Sequence, residues 1–189
     1  MIKKLPLHKA PWGVRHYPIP EKQQYVIRVS TFEAGSWFIL VFTFVWTAAF
    51  CLFAYSTIQD IVAGKDASEW GFDIIFFFSH GIPAIFLCWF SFKIIFERVT
   101  LTIDQQYLHH LQGIFGRGKE DLFHTSTILT IKLQEPYIII VSKTQNLKIG
   151  ESIPKKRQEF VVYALSTIVE QIKHNPSFLS SDLSQHLIE

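Results

Sequence analysis

Two blocks of this chain lack charge altogether, and the remainder alternates between apolar and polar positions. Ala34 to Gln59 runs 26 residues without Asp, Glu, Lys or Arg, and Ile74 to Phe92 runs 19 more. A bilayer core about 30 Å thick takes roughly 20 apolar residues in a helix. Each block therefore has the length and composition of a membrane span, at about residues 36–55 and 74–92. The short connection between them makes the two helices antiparallel neighbours, a transmembrane hairpin over residues 36–92.

Beyond Glu97 the pattern changes to alternation. Arg98 to Ile103 reads as a strand with Val99, Leu101 and Ile103 on one face. Asp104-Gln105-Gln106 is a turn, and Tyr107 to Leu111 is the returning strand. Gly113, Gly116 and Gly118 mark a loose turn. Leu122-Phe123, Ile128 to Leu133, Tyr137 to Val141 and Leu147 to Ile149 read as further short strands, in a region rich in the β-branched and aromatic residues that strands prefer. The period then becomes helical. Phe160, Val161, Ala164, Leu165, Ile168, Val169 and Ile172 form one stripe, with Gln158, Glu159, Tyr163, Ser166, Glu170 and Lys173 opposite. This predicts one amphipathic helix over about 154–173, which needs a sheet to cover its stripe. Upstream, Tyr25, Ile27 and Val29 alternate within Gln24–Ser30. That segment either adds a strand to the same sheet or lies along the membrane. Residues 174–189 read as a polar tail with no core of its own.

Charge adds an orientation. Residues 1–35 carry Lys3, Lys4, Lys9, Arg15, Lys22 and Arg28 against Glu21 and Glu33, whereas Thr57 to Asp73 carries Lys65 against Asp60, Asp66, Glu69 and Asp73. Lys93 and Arg98 follow the second span. Positive flanks stay on the cytoplasmic side, so both termini are expected in the cytoplasm and the acidic loop outside. Trp37, Trp70 and Phe72 suit the aromatic belts at the two interfaces. The net charge of +2 is too small for a strongly polyanionic partner, and no nucleic acid is expected. Neither a cleavable signal peptide nor a lipidation box is expected.

Helices in lipid associate through small residues. Thr43, Thr47 and Cys51 repeat every four residues in the first span. Gly81, Ala84, Cys88 and Ser91 repeat at three and four in the second. The two seams are expected to face each other, with Thr43 near Ser91 and Cys51 near Ala84, and both cysteines act as small packing residues. His80 is the candidate intramembrane polar site, since an ionisable group at that depth is by default a functional hypothesis. It would touch a cofactor, relay a proton, or simply hydrogen-bond Tyr55 or Ser56 across the hairpin. A two-histidine haem needs a second intramembrane histidine, which the spans lack. Pro83 removes a backbone donor and is expected to bend the second span.

Chemistry is otherwise sparse. There is no phosphate loop, dinucleotide fingerprint, nucleophile elbow or metalloprotease helix, and the chain is expected to be no enzyme and to carry no cofactor. His109-His110 with His124 suggests a metal, but neighbouring strand residues point to opposite faces, so only one of the pair can join His124. Lys155, Lys156 and Arg157 fall in the first turn of the last helix, where cations oppose the helix dipole at about 0.3–1 kcal/mol each. They are candidate contacts for anionic lipid headgroups.

The Ser36-Trp37-Phe38 start of the first span, the strand and turn Val99 to Asp104 directly after the second, the Gly113-to-Gly118 turn and the terminal helix together resemble bacterial two-span membrane proteins with a PH-like domain. The resemblance covers residues 24–173 and is architectural. It implies a membrane α-hairpin plus an α+β domain at 97–173, an antiparallel sheet closed by one C-terminal helix, preceded by a cytoplasmic segment at 1–35. The photosystem I assembly proteins share the layout of two spans and a small soluble domain, but their arginine-rich segment has no clear counterpart here. The expected function is a membrane protein presenting an interaction domain, an assembly or scaffold factor for a membrane complex, with the bilayer and a membrane protein as partners. Two alternatives are an accessory subunit of a redox or transport complex and an anionic-lipid-sensing module.

Overall fold

The computed structural model describes residues 10–64, 70–175 and 179. Its chain divides into two compact units, one made of Met1–Phe32 with Phe96–Glu189 and the other of Glu33–Ile95. The charges at Lys3, Lys4, Lys9, Lys65, Asp66 and Glu69, the side chain of Trp70 and the polar tail apart from His174, Asn175 and Leu179 lie outside the described residues.

The second unit holds two long helices, α1 (Ser36–Val62) and α2 (Trp70–Phe96), of 27 residues each. They extend past the uncharged blocks at both of the ends that meet the loop. Thr57 to Val62 is therefore helix rather than loop. At 1.5 Å per residue each helix is about 40 Å long, and both are long and apolar enough to cross a membrane. α2 runs unbroken through Pro83.

The first unit is a β structure with one helix. Strands β1 (Val14–Ile19), β2 (Gln24–Ser30), β3 (Glu97–Ile103), β4 (Tyr107–Ile114) and β5 (Arg117–His124) form an antiparallel sheet in sequence order. Strands β6 (Ile128–Gln134), β7 (Tyr137–Ser142) and β8 (Asn146–Ile149) form a second. Helix α3 (Lys155–His174) follows and lies chiefly against β6. Gln24–Ser30 is thus a strand of the sheet and not a surface segment. It pairs with β3 from Tyr25↔Ile103 to Ser30↔Arg98. The alternation requires this, because Tyr25, Ile27 and Val29 are all fully buried and find their cover only inside the sheet. β1 was not expected; its short run carries Pro18 and His16 and buries only Val14, so it offers little period to read.

One core joins both sheets and the helix. It takes Ile27, Leu101 and Leu108 from the first sheet, Ile138 and Ile140 from the second, and Phe160, Leu165 and Ile168 from α3. Leu179 also belongs to it, so the tail is not wholly without core contact. A bulge between Ile128 and Thr130 shifts the register of β6. That is why Ile128 and Ile131 both point inward at an odd separation. Gln158, expected on the polar side of α3, is buried: its side-chain amide donates to the Pro136 carbonyl at 2.6 Å and to that of Gly150 at 2.7 Å.

The glycine turn is tight rather than loose. Gly113 pairs with Gly118 and Ile114 with Arg117, leaving Phe115 (φ 51°) and Gly116 (φ 76°) as a two-residue loop. Both residues adopt the positive φ that a type I′ hairpin turn requires. A Cβ on Gly113 would stand 2.0 Å from the Arg117 carbonyl oxygen, so glycine is required by the closeness of the two backbones. The turn before it is held by Asp104, whose carboxylate accepts from the amides of Gln106 (2.8 Å) and Tyr107 (2.6 Å).

Leu101→Ala removes a fully buried side chain and should lower unfolding stability by about 2–5 kcal/mol. Leu129→Ala, at a position 59% exposed, should change it by less than about 0.5 kcal/mol. Chemical unfolding of the two variants side by side measures this.

Candidate functional site

Within the helical unit the small-residue seam forms in part. The hydroxyls of Thr43 and Ser91, both buried, meet at 2.8 Å, and Thr47 lies 3.3 Å from the Cys88 thiol. Gly81 and Ala84 are buried. A Cβ on Gly81 would come within 2.8 Å of the Phe50 ring, so glycine makes room for that ring. Cys51 and Cys88 are both exposed.

His80 bonds within its own helix and not to Tyr55 or Ser56. Its Nδ1 lies 2.7 Å from Ser79 Oγ and 3.3 Å from the Phe76 carbonyl oxygen. Its ring is stacked on those of Phe76 (4.0 Å, 12°) and Trp46 (5.4 Å, 14°). One turn of helix brings Phe76 under His80, and this aromatic stacking holds the imidazole in place. The indole nitrogen of Trp46 is buried without a hydrogen-bond partner.

The three cations at the start of α3 fall in different surroundings. Lys155 pairs with Glu135 at 2.6 Å, which raises the ammonium's proton affinity by hydrogen bond and charge. Lys156 is exposed. Arg157 is turned inward and 6% exposed. Its Nη1 donates to the carbonyls of Ser30 and Phe32, both at 2.6 Å, and its guanidinium covers the Trp12 ring at 5.1 Å. A Cβ on Gly13 would stand 2.9 Å from the Arg157 Cζ. The local reason is the arginine's planar fork, which bonds two carbonyls and stacks on an aromatic face at once. Those carbonyls offset the unfavourable dipole for Arg157 at this helix start.

On the inner face of the first sheet lies a buried polar group of side chains. Strand parity puts His110 and Gln112 on the same side as Leu108, and Asp121 on the same side as Phe123. His110 Nδ1 sits 3.1 Å from Asp121 Oδ2, its cross-strand partner. The Gln112 amide donates to Glu97 Oε1 (3.1 Å) and Ser152 Oγ (3.2 Å). With Nδ1–H donating to the carboxylate, the neutral imidazole keeps a lone pair on Nε2. That nitrogen is buried and has no partner. A carboxylate–imidazole pair is the base half of a nucleophilic triad, yet no hydroxyl or thiol bonds Nε2 here. The pair thus presents a buried acceptor nitrogen on the inner face of the sheet.

His109, His110 and His124 lie apart in their contacts. His109 points away from His110 toward Glu120 (3.7 Å), and His124 lies on the Tyr107 ring at 4.5 Å. Among the described residues no group of three or more His, Cys, Asp or Glu could hold a metal ion. The sequence reading missed the His110–Asp121 pair, although the parity shared with Leu108 and Phe123 carried the signal. Compared with known proteins, the chain matches no family model and no curated sequence.

Burial lowers the His110 pKa from its ordinary 6.5 despite the bond to Asp121, with Lys119 and His109 adding to the lowering. The unfolded chain therefore binds this proton more readily, and unfolding free energy rises with pH through the region of 6.5. Stability should fall as pH drops from 7.5 to 5.5, and His110→Gln should flatten that slope; unfolding midpoints across the range measure it. Arg157→Met should strip two inner carbonyls of their donor and lower stability by about 1–3 kcal/mol, read by thermal unfolding.

Proposed function

We propose that α1 and α2 span a lipid bilayer and hold a PH-like β domain at its cytoplasmic face, where it acts as a scaffold or assembly factor for a membrane complex. One observation carries this reading. The helices turn large apolar side chains outward along their whole length: Phe38 is 77% exposed, Phe44 75% and Ile85 72%. Each such side chain left in water forgoes about 1.5–3 kcal/mol. Only an apolar medium or partner removes a penalty repeated over two 27-residue helices, and acyl chains supply one continuously.

The charge pattern supports the orientation, with cations flanking the outer ends of the hairpin and acids around its bend. Two antiparallel sheets with a C-terminal helix support the PH-like assignment. Domains built this way commonly present a binding surface, and the chemistry of the inner polar group stops short of a catalyst. The reading is therefore a binding module, with a membrane protein as partner.

The expected outcome is a protein that stays with membranes after alkaline carbonate washing. In right-side-out cells, protease added outside should cut only near residues 63–69 and leave the β domain intact until the membrane is opened. A purification in mild detergent should bring down a membrane protein in fixed ratio. Release by carbonate, or digestion of the β domain from outside, would sink the proposal.

A further inference from the structure

The first sheet ends in an open edge. β5 pairs with β4 and, among the described strands, with no other. The phase of the ladder fixes which of its backbone groups face outward. The Thr125 amide donates to the Gln106 carbonyl at 2.8 Å, and hydrogen-bonded pairs in an antiparallel ladder recur at every second residue. By that period Phe123, Asp121, Lys119 and Arg117 bond to β4. Gly118, Glu120 and Leu122 turn their amides and carbonyls away from it. All three are exposed, and no backbone bond outside the strand ladders involves them among the described residues.

Native sheets blunt their edges with proline, bulges, short strands or a covering helix. β1 carries Pro18, β8 has four residues, and β6 is bulged and lies against α3. β5 has eight residues, no proline and an unbroken register. Lysine also guards edges, but the charge on this one alternates. Lys119 and Asp121 share the inner face two residues apart, with their charged groups at 3.6 Å.

A strand that meets a copy of itself across a two-fold axis contributes the same patch twice. With Glu120 on the axis, Glu120 faces its own counterpart and Gly118 faces the copy's Leu122, so every outward rung finds a partner. Lys119 then faces the copy's Asp121, and Asp121 the copy's Lys119, which makes a square of four charges alternating in sign. Leu122, 57% exposed, covers a glycine that has no side chain of its own. An axis at Lys119 forms fewer rungs and sets lysine against lysine, and an axis at Asp121 sets aspartate against aspartate. The one unfavourable pair in the Glu120 register is Glu120 with itself.

We propose that β5 is a homodimer interface, at which two copies of this chain join their first sheets edge to edge, antiparallel, with Glu120 on the two-fold axis. The occupant is a second copy because the charge row complements itself. Nothing in this pairing depends on how the helices meet lipid.

The test uses the full chain in mild detergent, with its monomer–dimer midpoint measured by sedimentation. K119E turns both attractive cross-strand pairs repulsive and should move the midpoint at least about tenfold higher in concentration. E120Q removes the axial repulsion and should move it about two- to fivefold lower, a gain that misfolding does not mimic. In a C51A/C88A background, E120C should form an intermolecular disulfide at least about tenfold faster than L129C, because hydrogen-bonded partners stand about 5.5 Å apart at Cα, within the reach of a disulfide. A chain that stays monomeric overturns the proposal. So does a dimer indifferent to K119E and E120Q, which would assign association to the helices. An E120C that links only to a different, co-purifying protein overturns it too, by assigning the edge to a foreign strand.

Discussion

The pairing of β2 with β3 is the constraint on which the rest of the β unit depends. These strands are separated by the whole of α1 and α2, yet they are hydrogen-bonded from Tyr25↔Ile103 to Ser30↔Arg98. Closing so long a connection is unfavourable, although the penalty grows only with the logarithm of its length. What offsets it is the fully buried row of Tyr25, Ile27 and Val29 against Val99, Leu101 and Ile103. Arg157 reinforces the same junction from the other end of the chain, gripping the carbonyls of Ser30 and Phe32. The N-terminal strands, the strands after the helices and the final helix are thereby locked into one hydrophobic core.

Buried polar groups in both units are mostly satisfied, and those that are not stand out for that reason. Gln158 is held by two loop carbonyls and Gln112 by Glu97 and Ser152. Tyr25, whose hydroxyl lies 2.6 Å from His16 Nδ1, has its pKa pushed up to about 12 by burial and stays neutral. His110 Nε2 and Trp46 Nε1 are the buried side-chain atoms without a partner among the described residues. An orphaned polar atom inside a protein is unfavourable by roughly 1–3 kcal/mol, so each marks a place where the fold tolerates a loss.

Much of this architecture was legible in the residues. The uncharged blocks became helices, the alternation of Val99, Leu101 and Ile103 became a core strand, and the stripe from Phe160 to Ile172 became the buried face of α3. The readings that failed did so for local physical reasons. β1 buries too few residues to show a period. Gln158 and Arg157 carry polar heads, and the pattern could not reveal that loop carbonyls and an aromatic ring waited to receive them. His80 found its hydrogen-bond partners in its own helix, at Ser79 and the Phe76 carbonyl, which spacing allows but composition does not announce.

The neighbourhood of Ser30 and Arg98 has a consequence for how such a chain is assembled from parts. The helical hairpin leaves and re-enters the sheet at adjacent rungs of one ladder, and the hydrophobic core draws on none of residues 33–95 among those described. The two helices thus behave as a guest segment, spliced into what would otherwise be an ordinary β-hairpin connection. Joining Phe32 to Phe96 through a few glycine and serine residues would restore that connection. It would turn an oily polypeptide into a compact water-soluble head suited to crystallisation or to screening against partners.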